Sequence, residues 1–185
     1  MLAFHFTPFP NLETKRLYLR RMRPSDVNEI QALRSDPEIM RYIPRPLIKT
    51  KEEALEFIHI MDANIDTNTV INWAITSKEN DQLIGIIGFY RIKPEDYRSE
   101  VGYILSPNFH GQGIISEALE RVIQFGFDEM KLNSIEAVID PKNSSSEKVL
   151  LKNNFVKEGH FKEHIFFEGK FLDSVFYSLL KNFKK

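Results

Sequence analysis

Residues 103–119, Tyr103-Ile-Leu-Ser-Pro-Asn-Phe-His-Gly-Gln-Gly-Ile-Ile-Ser-Glu-Ala-Leu119, constrain this chain more than any other stretch. An apolar, strand-like run ends at Ser106-Pro107. A loop with two glycines follows and opens into an amphipathic helix whose Ala118, Leu119, Val122, Ile123 and Phe127 recur at helical spacing. A helix N-terminus carries unpaired N–H groups and roughly half a positive charge. Glycines let that backbone approach a bulky anion, so the arrangement suits a phosphate or pyrophosphate.

Two familiar phosphate loops fail the comparison. No Gly-x-x-x-x-Gly-Lys-Ser/Thr string exists. A dinucleotide fingerprint needs a third glycine where Ser116 stands, and it belongs in a first βα unit rather than in mid-chain. Gly-x-Gly alone equally describes an ordinary helix-entry turn.

The rest of the pattern predicts an α/β chain of mixed order. Leu17 and Leu19 alternate within 14–22, a strand. Pro24-Ser25-Asp26 starts a helix, with Ser25 or Asp26 as N-cap and Val27, Ile30 and Leu33 inward. Asp36-Pro37, Pro44 and Pro46 enforce an irregular segment, and Thr50-Lys-Glu-Glu53 reads as a capping box for a helix burying Ala54, Phe57, Ile58 and Met61. Strands are expected at 70–76, 83–91 and 99–105, then the glycine-loop helix, a strand at 134–139, a helix at 143–153, and strands at 154–167 and 171–180 turning at Glu168-Gly169. The order β-α-α-β-β-β-α-β-α-β-β implies a mixed sheet with helices on its faces.

Length and composition fit one domain over residues 1–185, with 42% hydrophobic and 28% charged residues. A net charge of −1 argues against a general nucleic-acid binder. Lys15, Arg16, Arg20, Arg21 and Arg23 form a local basic run that reads as solvated strand charges. There are no cysteines, which excludes disulfides, a Cys nucleophile and thiolate metal sites. The first ten residues lack a signal-peptide pattern, and no apolar run approaches the ~20 residues of a membrane span, so a cytoplasmic monomer or homodimer without membrane contact is expected. His160 and His164 lie in a strand-like run, where four residues span ~13 Å, so no metal site is expected there. Trp73 and the many Phe residues read as core.

His110-Gly111-Gln112-Gly113-Ile114-Ile115 resembles the acyl-CoA pyrophosphate loop of the GNAT N-acetyltransferases, Arg/Gln-x-x-Gly-x-Gly/Ala. The longer string through Ser116-Glu117-Ala118 resembles the RimJ/RimL-like ribosomal-protein N-terminal acetyltransferases and the spermidine acetyltransferases. Leu12–Arg20, Glu100-Val-Gly-Tyr103, Asn143–Ser146 with Leu151–Phe155, and Asp173 to Leu180 match the same branch in collinear order, covering about residues 11–181. Two positions depart from it: His110 replaces Arg or Gln, and Ile115 replaces the final Gly or Ala. Asn154 stands where the branch often has Gly, and Asn tolerates the left-handed conformation.

The resemblance implies a GNAT-type fold: a mixed, mostly antiparallel sheet of about seven strands flanked by four helices, with strands 99–105 and 134–139 splayed to hold acetyl-CoA. The pantetheine arm would pair with backbone near Ile104 and Leu105. The pyrophosphate would sit on the N–H groups of residues 110–116, bringing in His110, Gly111, Gln112, Gly113, Ile115 and Ser116. A substrate amine would then attack the thioester directly. Glu100 is the candidate base, with Glu163, on the face of Ile165, as the nearest alternative acid. Backbone N–H near Leu105 would steady the carbonyl oxygen, and Ser146 would protonate the leaving thiolate. Ser144–Ser146 alternatively cap the helix, and Asn143 is either N-cap or pantetheine ligand. The expected acceptor is a protein N-terminal α-amine. A polyamine, amino sugar or antibiotic is the alternative, and a non-catalytic acyl-CoA-binding module the third reading.

Overall fold

The structure is a computed structural model and describes residues 2–181. Eight strands form one sheet: β1 Leu12–Glu13, β2 Leu17–Arg20, β3 Ile71–Ser77, β4 Asn80–Lys93, β5 Arg98–Leu105, β6 Ser134–Ile139, β7 Val156–Phe167 and β8 Lys170–Leu180, in spatial order β1-β2-β3-β4-β5-β6-β8-β7. All neighbours are antiparallel except β5 and β6. The helices are α1 Val27–Ser35, α2 Pro37–Met40, α3 Lys51–Asp66, α4 Ile114–Asp128 and α5 Ser144–Lys152.

Strand alternation gives the sheet two apolar faces, each covered by helices. On one, Ala74 and Ile86 pack with Ile30 and Leu33 of α1 and Ala54 and Ile58 of α3. On the other, Trp73, Ile87, Phe89, Val101 and Ile135 meet Leu119, Val122 and Phe125 of α4. Trp73 is fully buried, stands edge-on to Phe125 with ring centroids 5.2 Å apart, and donates its indole N–H to the Pro10 carbonyl at 2.7 Å. Gly126 is where α4 lies flat on the sheet: a Cβ there would come within 2.7 Å of the Phe89 ring.

The expected order holds, with local differences. The strand expected over 14–22 shortens to Leu17–Arg20, and a further short strand, Leu12–Glu13, precedes it, because the chain turns between Glu13 and Leu17 and the Thr14 N–H donates to the Leu17 carbonyl. Asp36 caps a further short helix, α2, accepting from the N–H groups of Glu38 and Ile39. Asp26 stands at the N-cap of α1 without capping it. Its carboxylate is buried and accepts instead from Arg20 and from the Arg23 N–H. The capping box of α3 is shifted by one residue: Thr50 accepts from the Glu53 N–H, but the Glu53 carboxylate accepts from Lys49 rather than Thr50.

The basic run is solvated in part, with Lys15, Arg16 and Arg23 exposed, but its arginines are paired. Arg20 is 7% exposed and pairs with Asp26 and Asp81, Arg21 with Asp62 and Asp66, Arg23 with Asp81, and Arg16 with Glu117. Strand alternation does scatter these arginines, and each finds an acid on its own side. Asn154 adopts the left-handed conformation, φ 64°, as its place in the pattern suggested. Among the described residues no helix is long and apolar enough to cross a membrane.

Candidate active site

The parallel strands β5 and β6 pair for only three residues, Arg98–Glu100 with Ser134–Glu136. Beyond Glu100 they part, since β5 stays on β4 as far as Leu105 while β6 stays on β8 as far as Ile139. The result is a gap in the middle of the sheet, lined by unpaired backbone. Its polarity follows from register. The Ser106 N–H donates to the Ile84 carbonyl, and the Ile104 carbonyl points at Gly85, on the β4 side. By alternation, the backbone groups of Tyr103 and Leu105 face the gap. Leu105 is where the sequence put it; Ile104 is not, because its backbone faces β4, and Tyr103 takes its place.

The gap runs into the two-glycine loop. Gly111 and Gly113 have φ of 73° and 75°, and Gly113 is the N-cap of α4, offering no side-chain acceptor to the first helical N–H groups. Nothing lies within 4 Å of where a Cβ on Gly111 would stand, so glycine is required by backbone conformation and leaves open space above the loop. Among the described residues, no N–H from Gly111 to Ser116 finds an acceptor, although the His110 N–H is taken by the Pro107 carbonyl at 3.0 Å. The run of free N–H groups therefore starts at Gly111, not at His110.

The side chains of the loop brace it rather than point outward. His110 Nε2 lies 3.1 Å from the Leu105 carbonyl, Gln112 donates to the Asn108 carbonyl at 3.0 Å, and Ser116 Oγ accepts from Asn153 at 3.1 Å. Ile115 is 8% exposed and packs into the core, so only its N–H is available.

Arg16, read from sequence only as a surface charge, holds this loop. Glu117, in the first turn of α4, accepts from Thr14 Oγ1 at 2.5 Å, the Arg16 N–H at 2.9 Å and Arg16 Nε at 2.7 Å, and Arg16 Nη1 reaches the Gln112 carbonyl at 3.1 Å. Burial raises the Glu117 pKa, but these donors outweigh it and hold the carboxyl below its ordinary range. The acid at position 117 was visible in the string; its partners a hundred residues away were not.

Across the gap, Asn143 caps α5, its Oδ1 accepting from the Ser146 N–H at 3.1 Å. The cap is Asn143, and not Ser144. Ser146 is half-buried, and its carbonyl lies 3.5 Å from the Tyr103 hydroxyl, which burial pushes up to about 12. Tyr103, unassigned by sequence, thus brings a neutral phenol to the same place as Ser146.

Glu100 marks the point where the strands part. It is one-fifth exposed and pairs with Arg91 at 2.7 Å; burial raises its pKa, with Arg91 offsetting part of the rise. Its partner in the last paired rung of β5 and β6, Glu136, is held by Arg98 at 2.7 Å. The alternative acid, Glu163, fails on geometry. Between Phe161 and Ile165, four residues of β7 span two of β8, and Glu163 sits in this bulge at φ 52°, exposed, so alternation no longer aligns it with Ile165. The Glu163 N–H donates to Asp173 at 2.9 Å, and Asp173 also lies 2.7 Å from His160 Nε2. His164 turns instead to Phe161 and Phe176. Among the described residues no group of His, Cys, Asp and Glu could hold a metal ion.

On the α1/α3 side, a cavity of about 280 Å³ opens between the 37–47 segment, the end of β6 and the β7–β8 hairpin. Met40, Arg45, Val138, Asp140, Ile165 and Asp173 are among its walls.

This geometry has counterparts. Residues 16–156 match the family described as the acetyltransferase (GNAT) domain. The uncharacterized N-acetyltransferase YoaA of Bacillus subtilis is 34% identical over 173 residues, 94% of this chain and 98% of its own. A GNAT-family acetyltransferase from Bacillus anthracis, solved by crystallography, superposes with a TM-score of 0.82 at 27% identity, covering 92% of this chain and 98% of that one. The ribosomal-protein-serine acetyltransferase of Escherichia coli is 35% identical over 100 residues, 54% of this chain and 56% of its own. With its splayed strands, its glycine loop and these relatives, the chain belongs to the GNAT family of acetyl-CoA-dependent N-acetyltransferases.

Proposed function

We propose that the protein transfers the acetyl group of acetyl-CoA to the α-amine of a protein N-terminus, of the ribosomal-protein type, by direct attack in a ternary complex. The observation that carries the donor half is the continuity of the gap with the loop. Tyr103 and Leu105 backbone groups and the free N–H groups from Gly111 to Ser116 form one line of hydrogen-bonding positions. Pantetheine pairs with the strand and pyrophosphate rests at the helix N-terminus.

The chemistry then falls to few groups. Glu100, its pKa raised by burial, accepts the amine proton directly or through water. The Leu105 N–H donates to the carbonyl oxygen as negative charge develops there. Ser146 protonates the departing thiolate, with the Tyr103 hydroxyl close by. With no cysteine in the chain, no acyl-cysteine relay intervenes.

The acceptor half rests on the cavity between residues 37–47, the end of β6 and the β7–β8 hairpin, and on the likeness to the E. coli ribosomal-protein-serine acetyltransferase. A polyamine is disfavoured, because Asp62, Asp66 and Asp81 are already held by arginines. Thiol release from acetyl-CoA is the test. Peptides with free Ser or Ala N-termini should turn over, and spermidine and amino sugars should not. Turnover of the small amines alone moves the acceptor to that class, and turnover of neither favours an acyl-CoA-binding role.

A further inference from the structure

On the sheet face that carries Glu100, buried polar groups do not balance. Asn72, Gly88 and Gly102 lie side by side across β3, β4 and β5, so two glycines leave a strip bare of side chains beside the Asn72 amide. Asn72 is fully buried, and neither its Oδ1 nor its Nδ2 makes a hydrogen bond of normal geometry, although the Tyr90 hydroxyl lies within reach of the amide. Buried amides nearly always find one, and an orphan carries a desolvation cost that a ligand can relieve. The Tyr90 ring covers Gly102, 3.3 Å from where a Cβ would stand. Burial pushes its hydroxyl up to about 12, so it is a neutral donor, and it lies close to both Asn72 and Arg34.

Arg34 completes the imbalance. Its guanidinium rests on the face of Phe57, 4.7 Å from the ring centroid, and its Nε is buried without an acceptor. Among the described residues no carboxylate pairs with it. Beside it stand the neutral Tyr90 hydroxyl and a second cation, Arg45, which adds to the lowering that burial begins. Arg45 lines the cavity by the 37–47 segment, and Tyr90 pairs directly with Glu100 across β4 and β5, so the candidate base lies beside this cluster. A guanidinium does not shed its proton, and charges taken out of water are ordinarily paired. The other arginines that β2 and its extension present (Arg20, Arg21 and Arg23) are all paired with acids. Arg34 has no such acid, and it belongs to α1, which packs on the Ile86 face of the sheet, the face of Tyr90 and Glu100.

We propose that Arg34, with Tyr90 and Asn72 as neutral hydrogen-bonding partners and Arg45 on the cavity side, binds an anionic group, carboxylate or phosphate, carried by the acceptor a few bonds from its reactive amine. The inference rests on the reading of Glu100 as the place where the amine is deprotonated. It narrows the acceptor to amines such as peptides with an acidic residue next to the N-terminus.

Calorimetric titration of the CoA-saturated protein tests the site without needing turnover. The probes are three dipeptide amides, Ser-Asp, Ser-Asn and Ser-phosphoserine. Ser-Asp or Ser-phosphoserine should bind at least about tenfold more tightly than Ser-Asn, the margin expected of a hydrogen-bonded charge pair. Preference for one of the two names the anion. Arg34→Gln should make the dipeptides bind alike. Tyr90→Phe, which keeps the ring and so the packing, should cut the preference severalfold. CoA affinity measured on each variant reports whether it has folded, and if Arg34→Gln has not, Tyr90→Phe decides. Equal affinities in the wild type, a preference that survives these substitutions, or no dipeptide binding at all would overturn the proposal. Thiol release separates the two readings. Tight Ser-Asp binding without acetyl transfer to any amine keeps the anion site and removes the transfer reading. Transfer at equal rates to Ser-Asp and Ser-Asn does the reverse.

Discussion

Glu100 and Ser146 stand on either side of the gap, one where the strands part and one on the first turn of α5. If Glu100 accepts the amine proton, kcat/KM must fall as pH drops through its pKa, which burial has raised above the ordinary glutamate range. Glu100→Gln should lower kcat by at least about tenfold, within the range for a lost general base, and erase that acidic limb while leaving acetyl-CoA affinity intact. Ser146→Ala should likewise lower kcat more than it changes acetyl-CoA binding; an unchanged kcat removes the serine in favour of the Tyr103 hydroxyl. Sequence singled out both residues as candidates, because each sits in a local string with a recognisable neighbourhood. Tyr103 and Arg34 escaped notice for the opposite reason: their significance lies in which way a strand faces and in a partner that is missing, and neither is a property of neighbouring residues in the chain.

At the scale of the element, the loop before α4 depends on two positive-φ glycines and on the ties from Arg16 and Glu117. Gly113→Ala should cost about 1–2 kcal/mol of stability, the usual cost of a left-handed backbone for a residue with a Cβ, and weaken acetyl-CoA binding because the strain falls on the cradle itself. Glu117→Gln removes an acid held below its ordinary range by Thr14 and Arg16. A carboxyl with a depressed folded pKa adds stability above its unfolded pKa and loses it as pH falls. Acid-unfolding curves should therefore be flatter below about pH 5 for Glu117→Gln than for the wild type. The helix and its glycines were legible from spacing alone. The bulge in β7 was not: a Phe- and His-rich run alternates in sequence as a plain strand would, and only pairing with β8 shows two extra residues at Lys162–His164. That is why Glu163 was placed on the wrong footing.

For the whole molecule, the mixed sheet was readable from element order and its splayed parallel pair from the family resemblance, while the pairing of charges across it was not. Arg20 and Asp26 are an example. Both side chains are less than one-tenth exposed, and together with Asp81 they fasten β2 to the start of α1 and to the β3–β4 hairpin. Arg20→Leu should destabilise the protein by about 3–5 kcal/mol in chemical denaturation, since it leaves Asp26 buried without its cation. The account as a whole stands on the loop from Gly111 to Ser116 being a pyrophosphate site. Thermal unfolding with acetyl-CoA tests that most directly, with S-acetylpantetheine, which lacks the pyrophosphate, as the control. At a hundredfold excess over Kd, acetyl-CoA should stabilise the folded state by about 2.7 kcal/mol and raise Tm by several degrees. S-acetylpantetheine at the same concentration should raise it little, and Gly113→Ala should reduce the acetyl-CoA shift. No shift with acetyl-CoA, or an equal shift with S-acetylpantetheine, would contradict the account.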